Sequence, residues 1–203
     1  MKTSKIVAAA TLSLLAFSSQ AQIVSNGSFE ENLQASGSWS IYSDLVGWTG
    51  MSNIELRNNM SGVAQDGNNY VELDTTNKMS MKQLVNVSGA GLYELSFWYS
   101  ARENRAAGDN GLSFRFGSLS GTVLENTAGL QSGNDWMNYK GQVALNGATE
   151  LIFSGIGTSN SYGGSLDNVA VTAVPEPETY AMLLAGLGLI GTIARRRKAS
   201  SAA

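Results

Sequence analysis

Five segments of the chain alternate apolar and polar residues with a period of two, as in β-strands that turn one face to the core and the other to solvent. They lie at 70–74, 92–99, 112–116, 149–154 and 169–173. Turn-forming pairs such as Asn26-Gly27 and Asn146-Gly147 lie between strand-like segments. The pattern predicts an all-β domain, for which a two-sheet jelly-roll sandwich is the natural architecture.

The beginning of the chain breaks this pattern. Lys2 and Lys5 precede a mostly apolar, uncharged run over 6–17, and small residues follow at positions 19 and 21. This arrangement predicts a signal peptide over 1–21, exported by the Sec machinery and cut by signal peptidase between Ala21 and Gln22. The alternative is a retained anchor, but a spanning helix needs roughly 20 apolar residues.

The end of the chain departs from the pattern as well. A short segment there contains the only two prolines of the chain, which end a strand or helix: Val174, Pro175, Glu176, Pro177 and Glu178. An uncharged apolar stretch follows, and a basic cluster begins with Arg195, Arg196 and Arg197. A helix over about 179–194 would just span a bilayer, with its basic end in the cytoplasm. The alternative is a buried core helix with a basic end.

Together these three parts resemble the PEP-CTERM sorting signal of Gram-negative bacteria, which is also labelled an ice-binding protein C-terminal domain. The resemblance implies a transient inner-membrane anchor and cleavage near the Pro-Glu-Pro element by an exosortase-type transpeptidase. It also implies delivery to the cell surface or an exopolysaccharide matrix. The chain then divides into a signal peptide (1–21), a β-domain (22–173), a sorting signal (174–198) and a disordered tail (199–203).

Composition narrows the chemistry of the β-domain. The chain has no cysteine and no histidine, which excludes Ser-His-Asp and Cys-His catalysis and the usual zinc sites. Residues 22–174 hold 14 Asp and Glu against 7 Lys and Arg. An acidic domain is a poor partner for nucleic acid or polyanionic glycans, so we expect neutral ligands or cations.

Four motifs in order along the domain resemble galactose-binding-like jelly rolls, many of which are carbohydrate-binding modules. The motifs are 26–30 (Asn-Gly-Ser-Phe-Glu) with Gly47-Trp48, then 67–74, 95–102 and 166–171. The resemblance implies a structural Ca²⁺ with Glu30 and Asp167 as carboxylate ligands. Backbone carbonyls complete the shell in this arrangement, because Ca²⁺ takes six to eight oxygens. The alternative is that Glu30 is an exposed charge and Asp167 a hydrogen-bonding turn residue.

A glycan site needs an exposed aromatic ring with polar groups beside it. Trp98 lies opposite Phe97 on its strand and is therefore a candidate platform, with Arg102 and Asn104 in the adjoining loop as hydrogen-bonding groups. Trp48 is a second candidate, although its alternative is a place in the core. The sequence thus predicts a non-catalytic domain that binds neutral polysaccharide.

Two other functions stay open. The first alternative is a structural or adhesive matrix protein with no small ligand. A glycoside hydrolase would need two carboxylates about 5 to 10 Å apart. Glu72 and Asp74 share one face of a strand about 7 Å apart, but such a pair on a solvent-exposed face is usually without function.

Overall fold

The computed structural model describes residues 23–75, 77–106, 108–125, 133–175, 182 and 184–192, and about half of these residues belong to ten β-strands. In chain order they are β1 (Ser38–Leu45), β2 (Trp48–Asn58), β3 (Asn69–Glu72), β4 (Ser80–Val85), β5 (Gly91–Ser100), β6 (Leu112–Phe116), β7 (Leu119–Val123), β8 (Met137–Leu145), β9 (Thr149–Gly155) and β10 (Ser165–Ala173). The five segments predicted from alternation all form strands, namely β3, β5, β6, β9 and β10.

The strands form two layers joined through β2. Hydrogen bonds connect them in the order β7-β6-β9-β4-β2-β3-β10-β5-β8, and β1 pairs with β2. The start of β2 pairs with β4, whereas its end pairs with β3. Although β5 and β9 are far apart along this path, the rings of Phe97 and Phe153 lie 5.1 Å apart. The sheet therefore folds over itself, and the predicted all-β sandwich is confirmed.

Alternation along β5 shows how the core is built. Tyr93, Leu95, Phe97 and Tyr99 are all buried on its inner face. Such period-two burial is what a half-buried strand requires. Trp48 is also in the core, because only 2% of its surface is exposed and its ring packs against aromatic rings on both sides.

The first and last residues of the domain lie beside the same end of β10. The amide of Ile23 donates to the carbonyl of Val171, and the amide of Val169 donates to that of Gly27, so this segment runs antiparallel to β10. The amide of Val174 donates to the carbonyl of Leu92. Ile23 and Val174, at the two ends of the domain, are therefore both near the C-terminal end of β10.

The targeting segments lie mostly outside the described residues. This holds for the predicted cleavage site at Ala21 and Gln22, for the tail at 199–203, and for part of the sorting segment: Glu176, Pro177, Glu178, Arg195, Arg196 and Arg197. Residues 184–192 are helical. Among the residues that the structure describes, no helix has the length and apolar character needed to cross a membrane. The predicted span over about 179–194 stays a prediction.

Candidate functional site

Charged side chains gather on the outer face of the layer that contains β1, β2, β3, β10 and β5. Ile54 and Leu56 of β2 point into the core, so Glu55 and Arg57 between them point to the opposite face. The strand register aligns Glu55 with Glu72 of β3, and Glu72 with Ser165 of β10. Ionisable groups from two neighbouring strands are therefore side by side outside the core.

These groups form a buried ion-pair cluster, which we define as Glu55, Arg57, Glu72 and Arg102. The Arg57 Nε donates to Glu55 Oε1 at 2.6 Å, and Arg57 Nη2 pairs with Glu72 Oε2. Arg102 Nη1 donates to the same Glu72 oxygen at 2.8 Å, and the amide of Gly163 donates to Glu72 Oε1 at 2.9 Å. Glu72 has no exposed surface. Through its single carboxylate it connects β3 with β2 and with the loops that carry Arg102 and Gly163.

Burial governs the titration of this cluster. It raises the pKa of Glu72 to about 7, although the guanidinium groups of Arg57 and Arg102 oppose the rise. Burial by itself lowers the pKa of Arg57, but the carboxylates of Glu72 and Glu55 outweigh it and leave this pKa above its usual value. Arg57 is therefore charged, and its charge is compensated by the carboxylates beside it.

The cluster forms one side of an open cleft of about 270 Å³. The lining residues are Trp39, Ile41, Glu55, Arg57, Met60, Thr75, Arg102 and Ser161. Trp39 and Ile41 project from β1 and remain 47% and 41% exposed. The cleft thus combines an accessible aromatic ring with donors and acceptors held in place, which is the composition of a small-molecule site.

Buried acids fasten the loop beside the cleft. Asp74 accepts hydrogen bonds from the Ser159 hydroxyl at 3.3 Å and the Asn160 amide at 3.0 Å, while Glu72 holds Gly163. Glu72 and Asp74 are only 0% and 2% exposed. The expectation of a solvent-exposed acidic pair is therefore wrong. Period-two alternation identifies the outer face of a strand, but loops can cover that face.

The four residues predicted to bind glycan are dispersed. Arg102 lines the cleft, as a ligand-binding residue would. Trp98 is half-buried on the outer face of β5 but does not line the cleft, and Asn104 lies in an exposed turn with a φ of 52°. Trp48 is a core residue whose indole N–H donates to the carbonyl of Asn26, so a glycan cannot reach its ring and its predicted role is corrected.

Of the four aromatic and charged residues that line the cleft, the sequence singled out only Arg102, and not Trp39, Glu55 or Arg57. The alternation of Ile54, Glu55, Leu56 and Arg57 was a usable signal for β2 and for the outward direction of both charges. No comparable signal distinguishes Trp39 from the other tryptophans, because its role depends on which loops leave it uncovered.

Glu30 and Asp167 hold the same loop, over 65–69. Glu30 Oε1 accepts from the amides of Asn68 and Asn69, at 2.8 and 2.6 Å. Asp167 Oδ2 accepts from the amides of Gln65 and Asp66, at 2.8 and 3.0 Å. Burial raises the pKa of Asp167 to about 7.

As a metal site this arrangement is partial. No group of three or more His, Cys, Asp or Glu side chains within the described ranges is arranged to hold a metal. Glu30 and Asp167 are oxygen donors of the type that Ca²⁺ takes, but they supply two carboxylates only. Backbone carbonyls of the loop would have to complete the shell.

Comparison with known proteins identifies the tail and the fold. Residues 173–198 match the model of the PEP-CTERM protein-sorting motif, which confirms that resemblance. The motif indicates an exported protein that is sorted to the cell surface, and it implies an exosortase as partner. No curated protein matches the chain.

Several solved structures are similar to the domain. An arabinose-bound α-L-arabinofuranosidase, MgGH51, aligns over 75% of this chain and 26% of its own, with 10% identity and a TM-score of 0.51. TmCBM61, in complex with β-1,4-galactotriose, aligns over 75% of this chain and 99% of its own, with 19% identity and a TM-score of 0.47. A family 35 carbohydrate-binding module from Clostridium thermocellum aligns over 68% and 99%, with 16% identity and a TM-score of 0.44. The chain spans about a quarter of the arabinofuranosidase, and that likeness shows a shared β-sandwich fold.

Proposed function

We propose that the cleft binds a neutral glycan and that the domain is a non-catalytic binding module of the cell surface or its exopolysaccharide matrix. The observation that carries this proposal is the half-exposed ring of Trp39 beside a buried cluster of paired arginines and glutamates. An indole face supports the apolar face of a sugar ring. Carboxylates and guanidinium groups supply acceptors and donors for hydroxyls.

The charged side chains of the cleft are already held in place before any ligand arrives. Glu72 and Glu55 hold Arg57 from two sides, and Tyr70, behind the cleft, donates its hydroxyl to the carbonyl of Met60. The Tyr70 ring is packed against Trp136 at 5.7 Å between centroids. Binding therefore costs little additional side-chain entropy, which supports recognition of a weakly held ligand such as a sugar.

The direction of β10 supports display of the cleft away from the anchor. Arg102 and Thr75 follow the ends of β5 and β3 that pair with the beginning of β10. The sorting segment leaves at the other end of β10, about 25 Å away at 3.3 Å per residue. We infer that the chain is exported by the Sec machinery and cut by signal peptidase, and that a transient helix over about 179–194 then anchors it until an exosortase cuts near Pro175. In this arrangement the cleft faces away from the membrane.

Trp39→Ala should lower the affinity for a neutral polysaccharide about tenfold or more, because it removes the ring that a sugar would stack on. A glycan array probed with the full-length protein, followed by affinity electrophoresis in gels with the bound polysaccharide, measures this change. Trp98→Ala is the matched control, since Trp98 is on the same sheet face outside the cleft. Loss of binding in Trp98→Ala alone would place the platform at Trp98, and no binding by the wild type would refute the proposed function.

We also propose that Ca²⁺ binds between Glu30 and Asp167, since both carboxylates hold one loop. A ligand present at 100 times its Kd stabilises the folded state by about 2.7 kcal/mol. We therefore expect the melting temperature in calcium to fall by several degrees in EDTA, and Glu30→Gln to remove this response. An unchanged melting temperature, with no metal in the purified protein, would contradict the calcium proposal and leave the glycan proposal intact.

A further inference from the structure

Glu72 lies directly behind the cleft without lining it. Its side chain has no exposed surface, yet its Oε2 accepts from both Arg57 and Arg102, which do line the cleft. Its other oxygen accepts from the amide of Gly163 at 2.9 Å. A bound ligand would therefore meet Glu72 only through the two guanidinium groups that it holds.

The charge of the cleft depends on this hidden carboxylate. The charged residues of the lining are Glu55, Arg57 and Arg102, which leaves one positive charge in excess. Ionised Glu72 cancels that excess. Charges interact more strongly in a buried cluster than in water, so one uncompensated guanidinium would attract an anionic group.

We propose that Glu72 is a specificity-determining positioning residue, which keeps the cleft selective for neutral over carboxylate-bearing sugars by balancing Arg57 and Arg102. This inference rests on the proposed function, that the cleft binds glycan. Without the charge of Glu72, the charged residues that line the cleft carry one net positive charge, which favours pairing with the carboxylate of a uronic acid, and a carboxylate matches the planar guanidinium group. Glu72 sets which sugar is accepted while contacting none.

Three variants of the full-length protein test this balance at pH 8, where Glu72 is ionised. The probe is an array of neutral galactan, glucan and mannan, each beside its own C6-oxidised uronate form. Glu72→Gln should raise the ratio of uronate to neutral binding about tenfold, the effect of one charged hydrogen bond. Arg102→Gln should lower the ratio. The double variant should return the ratio close to the wild-type value, whatever its overall affinity.

Glu150→Gln is the matched control, because it makes the same change of net charge at an exposed ion pair with Lys82. Its ratio should equal that of the wild type. If Glu72→Gln does not fold, the opposite shift in Arg102→Gln still decides the proposal. Wild-type binding to neutral glycan with equal ratios in all variants would refute this inference alone. No wild-type binding to any neutral polymer would refute the proposed function instead.

Discussion

Arg57→Ala should lower the free energy of unfolding by about 3–5 kcal/mol at pH 8, the cost of leaving a buried charge without its partner. The side chain of Arg57 is only 7% exposed and pairs with both Glu55 and Glu72. Without it, two carboxylates face each other on neighbouring strands, and Glu72 keeps only Arg102 and the amide of Gly163. Urea denaturation followed by tryptophan fluorescence measures the loss.

The loss should be smaller at pH 5 than at pH 8. Arg57 opposes the rise in the pKa of Glu72, so its removal favours the protonated form, and a neutral Glu72 needs no cation. Lys82→Ala is the control, because the pair of Lys82 with Glu150 is exposed, and solvent screens such a pair so that its removal changes stability little. Equal effects of the two substitutions would show that the cluster is not a buried ion-pair network.

Much of the fold could be predicted from the sequence, because burial repeats along single strands. In β5 and β6 every second residue is apolar and buried, and the residues between are polar or partly exposed. β1 was not predicted. Its exposed positions include Trp39 and Ile41, which line the cleft instead of the core, so apolar character there does not indicate an inner face.

The candidate site could be predicted only in part, since it depends on contacts between distant segments. Arg102 was predicted because it follows a strong strand. Its position beside Arg57 could not be predicted, because the register of β3 with β2 and with β10 brings these two arginines together. The same limit applies to Glu72, whose burial results from a loop more than ninety positions later in the chain. Sequence periodicity gives the direction of a side chain but not what covers it.

In the glycoside hydrolase alternative, Glu72 and Asp74 would be the catalytic carboxylates. Glu72 accepts a hydrogen bond from Gly163, and Asp74 accepts from Ser159 and Asn160. Neither acid lines the cleft. A general acid or a nucleophile must reach the scissile bond. These two carboxylates instead fix the loop that carries Ser161, which supports binding over turnover as their purpose.

The pH dependence of stability should carry the signature of Glu72. Its pKa in the folded domain is about 7, whereas the ordinary value is 4.5. Between these two values the folded domain retains a proton that the unfolded chain has released. The contribution of Glu72 to the free energy of unfolding is therefore largest below about pH 4.5 and decreases as the pH rises to about 7. This difference between the two pKa values corresponds to a change in the free energy of unfolding on the order of 3 kcal/mol.

Urea denaturation at several values between pH 4.5 and 8 measures this slope, and comparison with Glu72→Gln isolates the share of Glu72. Asp167 also has a raised pKa, but it is present in both proteins and cancels in the difference. We expect the profile of Glu72→Gln to be flatter over this window. Parallel profiles would mean that Glu72 is ionised throughout, because its two arginines outweigh burial. The charge balance of the cleft would then hold in acid as well, so the preference for neutral sugars would not change with pH.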